Sequence, residues 1–136
     1  MIASNEAAIA RALERGVVVR KEMEQEEGGS RSDEQVAELI NITRQTVARW
    51  RQARRLVAWQ DESGHWRFPV WQFDDAGRPF PELAAILSEL PGDSWSDMTF
   101  FLSESESLRG RPLDLLRRGK AKRVRLVAMR FGRQGA

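Results

Sequence analysis

The sequence predicts a mainly α chain: a helix-turn-helix with a short β-hairpin wing, followed by a small helical domain. Three observations carry this expectation. Residues 32–54 hold two short helix patterns around an asparagine. Residues 57–69 hold two runs rich in β-formers around a four-residue loop. From residue 81 onward, apolar residues again recur at spacings of three and four, the mark of helices with one buried stripe.

In chain order, residues 5–26 read as helix, because Ile9, Ala12, Leu13, Gly16, Val19 and Met23 form one stripe. Gly16 weakens its middle, so one helix or two is left open. Gly28-Gly29 stops it, and no phosphate-loop pattern surrounds that pair. Ser32 through Gln35 fits a capping box, with Ser32 as N-cap. Asn41 breaks the short helix that follows, since asparagine tolerates the left-handed backbone of a tight turn. Thr43 caps a second helix running from about Arg44 to Arg54.

Residues 57–60 and 65–68 read as strands, with Asp61 to Gly64 as the hairpin loop and Pro69 closing the second strand. Pro81 suits a first helical position ahead of Leu83, Ile86, Leu87 and Leu90. Ser94 to Asp97 resembles another capped start, and Ser103 to Ser107 reads as loop. Pro112 opens a helix that Gly119 caps, and Ala121 to Phe131 forms the last one. The expected units are 1–29, an N-terminal helix that is a candidate for self-association; 30–73, the winged helix-turn-helix; and 80–136, the helical domain.

The net charge of +2 conceals segregation. Residues 1–29 sum to −2, 30–73 to +2, 74–108 to −7 and 109–136 to +9. Patches of this size point to macromolecular partners more than to a small substrate, although the two large blocks are also free to pair with each other. The 136 residues contain no cysteine, which excludes disulfides and thiolate metal sites and suits a reducing cytoplasm. No apolar run reaches membrane-spanning length. A single histidine (His65), with no nucleophile–base spacing and no cofactor fingerprint, argues against an enzyme, a cofactor or a metal centre. The five tryptophans are expected in the core, with Trp59 or Trp66 left exposed on the hairpin.

The stretch Ile42–Val57 carries five arginines and no carboxylate. Solvated helix faces normally mix both signs. At about 100° per residue, Val47 and Trp50 face the first helix, and Gln45, Ala48, Arg49 and Gln52 face away. Arginine offers two hydrogen bonds to guanine and glutamine pairs bidentately with adenine, so this flank suits base edges. Flanking arginines suit phosphates. The expected DNA-contacting set is Thr43, Arg44, Gln45, Arg49, Arg51, Gln52, Arg54, Arg55 and Arg67, on double-stranded operator DNA. Readers of this kind usually bind paired half-sites as homodimers.

Residues 32–50 (SDEQVAELINITRQTVARW) resemble the helix-turn-helix of many bacterial regulators. Residues 67–87 and 100–132 are similar to the Xre/MbcA/ParS-type antitoxins, most specifically along LRGRPLDLLRRGKAKRV. The chain departs from that pattern at Ser103 to Glu106, where an Asn-Pro-type turn is usual, and at Asn41, where glycine is usual. The resemblance implies an antitoxin that binds a cognate toxin, most often a RES-domain, NAD-consuming one, and represses its own operon. The basic C-terminal block then supplies the expected toxin-binding set: Arg109, Arg111, Arg117, Arg118, Lys120, Arg123, Arg130 and Phe131. The competing readings are a stand-alone winged helix-turn-helix regulator or excisionase-like protein, and a toxin binder without DNA binding.

Overall fold

A computed structural model describes residues 2–134; the side chains of residues 1–6, 9, 12–14, 17–18 and 133–136 lie outside the described set. Ile9, Ala12 and Leu13 of the expected N-terminal stripe are among these. Helix α1 (Ile2–Gln25) runs unbroken through Gly16. Its Met23 packs on the main core, whereas Val19 remains 48% exposed. A tight turn at Glu26–Gly28 ends it. Gly28 there has φ +94°, and a Cβ on it would lie 2.9 Å from a Val70 methyl, so both conformation and space call for glycine.

Strand β1 (Ser30–Ser32) was not anticipated. It pairs antiparallel with β3 (Trp66–Pro69), which also pairs with β2 (Trp59–Gln60), giving the order β1-β3-β2. Three polar residues show no strand alternation in sequence, because this strand is held by main-chain pairing. Ser32 then serves twice. It ends β1 and caps α2 (Asp33–Ile40), accepting from Gln35 N–H at 3.1 Å while its own N–H donates to Gln35 Oε1 at 2.8 Å. Asn41 takes the left-handed turn at φ 61°. Thr43 caps α3 (Arg44–Gln52) by accepting from Thr46 N–H.

Helix α3 ends two residues earlier than expected. Arg54 is left-handed, at φ 60°. Its N–H donates to Arg51 carbonyl at 3.1 Å and Arg55 N–H donates to Trp50 carbonyl at 2.8 Å. This is the helix-ending motif in which glycine is usual, and an arginine there is no ordinary stop signal.

Helices α4 (Leu83–Leu87), α5 (Ser94–Leu102), α6 (Pro112–Arg117) and α7 (Ala121–Gln134) build the rest. Pro81 lies in the turn before α4 instead of in its first turn. Asp93 caps α5, one residue before the expected start, and Ser94 instead donates its hydroxyl to Ala58 carbonyl at 2.6 Å. Pro112 opens α6, and Gly119 follows it in the left-handed region at φ 76°.

Two apolar clusters result. Val36, Ala37, Val47, Leu56, Ala58 and Phe68 pack inside the helix-turn-helix and its hairpin. Ala37 is small where α2 and α3 cross. The larger cluster joins Val57, Trp59 and Trp71 to Leu83, Ile86, Phe101, Leu113 and Val124 of the C-terminal helices. Alternate residues of the segment 56–59 therefore face different cores. Gln72, fully buried, stitches this boundary: its amide accepts from Val57 N–H and donates to Val57 and Pro69 carbonyls. Trp59 is buried, and Trp66 is half-buried beneath Arg51. Among the described residues no helix is long and apolar enough to cross a membrane.

Candidate nucleic-acid interface

Helix α3 presents two unlike faces because Val47 is fully buried against α2 and Trp50 is half-buried beside it. Gln45, Arg49 and Gln52 point away from that contact and are exposed; Ala48 between them is half-exposed. Arg49 donates to Thr46 Oγ1 at 3.1 Å, which lays its guanidinium back along the helix toward the Thr43 end. The Thr43 and Thr46 hydroxyls are themselves 2.9 Å apart.

The flanking arginines divide by what holds them. Arg44 is exposed and contacts Asp33 at 3.2 Å, a surface pair worth little. Arg51 lies 3.9 Å from the centre of the Trp66 ring, tying the recognition helix to the wing through a cation–π contact. Arg55 lies 4.5 Å from the Trp50 ring centre and remains exposed.

Two residues of the expected set have partners within the fold. Arg54 turns inward: it donates to both carboxylate oxygens of Asp97, at 2.6 and 3.0 Å, and to Leu87 carbonyl at 2.9 Å. Asp97 is 1% exposed, so this guanidinium balances a buried carboxylate. Burial pushes the Asp97 carboxyl up from its usual range, against the pull of Arg54. Arg67 is half-buried and donates to the Ser30 hydroxyl and carbonyl, bracing β1 against β3. Two cations absent from the expected set are exposed at the same module. Arg31 is exposed on β1, and exposed Arg78 shares a hollow with Trp50, Arg55 and Phe80. Arg31 lies between the Gly28-Gly29 stop and the Ser32 cap, and Arg78 stands alone in an acidic stretch.

Of the expected C-terminal set, Arg109, Arg117, Arg118, Lys120, Arg123 and Arg130 are exposed. Phe131 is half-buried, 5.4 Å from Phe100 between ring centres. Arg111 and Arg117 are paired with carboxylates of the fold. Arg111 bonds Asp114 at 2.8 Å and Glu27 at 2.7 Å, and Arg117 bonds Glu27 at 3.0 Å. These contacts lower the Glu27 and Asp114 carboxyls and raise the Arg111 guanidinium. They fasten α6 to the turn after α1. Between the acidic and basic blocks, the only ion pair among the described residues is Arg125–Glu89, at 3.5 Å.

A match to the helix-turn-helix domain family covers residues 32–76, spanning β1's last residue, α2, α3 and the hairpin. Residues 32–76 are a helix-turn-helix DNA-binding domain. Its fold is also found in a solved structure: the NMR structure of Rv2175c superposes with a TM-score of 0.69 at 22% identity, covering 79% of this chain and 84% of that one. No curated protein matches the chain. The structural likeness covers more of the chain than the helix-turn-helix domain, so the fold is shared over most of both chains. Among the described residues no cluster of three or more His, Cys, Asp or Glu could hold a metal ion.

Proposed function

We propose that the chain is a sequence-reading transcriptional regulator that acts in the cytoplasm as a homodimer, with α3 in the major groove. One observation carries this reading: the outward face of α3 exposes Gln45, Arg49 and Gln52 with no carboxylate among them. Gln45 and Arg49, one turn apart, meet base edges, while Arg44, Arg51 and Arg55 meet phosphates on either side. The wing stands beside α3 through the Arg51–Trp66 contact and follows the backbone. Selection of duplexes from a random pool by the full chain tests this. A consensus that Gln45→Ala plus Arg49→Ala erases supports it, and binding indifferent to both substitutions refutes it.

A second reading adds a partner: the C-terminal helices neutralise a toxin, which by the resemblance is a RES-type, NAD-consuming protein, and the chain represses its own operon. An open hollow lined by Phe100, Pro112, Val127, Arg130 and Phe131 favours it, since an apolar floor beside an exposed guanidinium suits a protein segment. Co-expression with the product of the adjacent gene tests it. Rescue of growth that Phe131→Glu abolishes supports the reading; absence of both complex and rescue removes it and leaves the regulator.

A further inference from the structure

The cations of the C-terminal block have a geometric relation to the helix-turn-helix that their sequence positions conceal. Arg55, just past the end of α3, shares a hollow with Arg78, and Ala84 of α4 forms part of its wall. The next residue, Ala85, walls a second hollow together with Lys120, Lys122 and Arg123. A single short helix therefore separates the two cationic hollows, and its ridge between them is two alanines. We infer that Arg55, Arg78, Lys120, Lys122 and Arg123 form one phosphate track, along which duplex DNA outside the half-site lies against α4 and the start of α7. This rests on the DNA-reading role proposed above.

Three physical points favour DNA as the occupant. Lys120, Lys122 and Arg123 are exposed and have no carboxylate partner within salt-bridge distance among the described residues. They also sit at the amino end of α7, whose first turn holds no acidic residue. A helix dipole disfavours cations there, so the charges oppose the helix they belong to, and an external anion relieves that opposition. The spacing fits as well: one helix with its side chains is about 10 Å across. Phosphates advance about 3.4 Å along the axis per strand, so the track spans about three of them beyond Arg55. Among the residues lining the two hollows, the exposed Glu82 is the one carboxylate, and it works against the path.

Salt titrations of the full chain on mixed-sequence duplexes of about 12 and about 30 base pairs, one helical turn and nearly three, test the track. The triple variant Lys120→Gln/Lys122→Gln/Arg123→Gln is compared with wild type and with Arg55→Gln. On the long duplex the triple variant is expected to lower the slope of log affinity against log salt by about 2–3, with the short duplex unaffected and base preference retained. Its helix content should be unchanged and its thermal midpoint equal or higher. Glu82→Gln should tighten the long duplex only. An unchanged slope in the triple variant while Arg55→Gln lowers its own overturns the track and leaves the regulator standing, including where the same variant loses an acidic protein partner instead. No salt-dependent binding by wild type overturns both.

Discussion

Arg54 and Asp97 are locked in a two-pronged ion pair between the end of the recognition helix and the buried face of α5. The pair explains an otherwise unfavourable backbone. A non-glycine residue in the left-handed region costs about 1–2 kcal/mol, and glycine would avoid it. Only a long cationic side chain, however, reaches Asp97 and the Leu87 carbonyl from that position. Removing one partner of a buried pair leaves the other charge stranded, at about 3–5 kcal/mol. Arg54→Ala should therefore lower the urea midpoint sharply, and Arg54→Gly, which relieves the backbone, should lower it less. Combined with Asp97→Ala, the losses should fall short of their sum by about 1–3 kcal/mol. Full additivity would show that the two side chains do not cooperate in solution.

Base reading and phosphate holding separate by substitution. Arg49→Ala is expected to cost about 1–3 kcal/mol on the preferred duplex and to relax the choice at one base pair. Arg44→Gln should weaken all sequences alike and reduce the salt slope by about one. Binding profiles across single-base variants of the selected site distinguish these outcomes. A uniform loss for Arg49→Ala would place that side chain on the backbone.

Acid should loosen the joint between α6 and the end of α1. Glu27 and Asp114 have carboxyls held below their ordinary range, Glu27 chiefly by its bond to Arg111 and Asp114 likewise. A lowered folded pKa means stability present above the ordinary carboxylate range and lost as pH falls through and below it. Asp97, whose carboxyl is raised, works in the opposite sense and gains with acid. Urea unfolding at about pH 7 and about pH 4 should show a smaller decline in Glu27→Gln than in wild type. An equal decline would place the acid-sensitive step elsewhere.

Gly132 marks a close crossing. A methyl group there would run into the Glu89 carbonyl oxygen, two residues past the end of α4. Backbone cannot yield as a side-chain tip can, so Gly132→Ala should cost about 1–3 kcal/mol despite raising helix propensity. A gain in thermal midpoint would mean that α7 frays before reaching Glu89.

The front module was readable because its signals are local. The Ser32 and Thr43 caps, the Asn41 turn and the facing of Val47 follow from neighbours in sequence. What escaped was non-local. Nothing within three polar residues announces that β1 will pair with β3 more than 30 residues on. An arginine ending α3 looks like one more cation of a basic run until Asp97, 43 residues away, is seen beside it. The partners of Arg67, Arg111 and Arg117 are hidden on the same ground: charge alone does not say whether a partner lies in solvent or in the fold. Where both halves of a feature lie within one turn, as at Gly119, its structural role was legible.

The division of the segment 56–59 between two interiors limits how this reader can be recombined. A graft that carried α2, α3 and the wing to another scaffold would bring Val57, Trp59 and Trp71 with it, stripped of Leu83, Ile86 and Phe101. The transplanted piece would present an oily underside prone to self-adhesion. Any chimera built from this chain must therefore be joined beyond α7, or must redesign that underside for water.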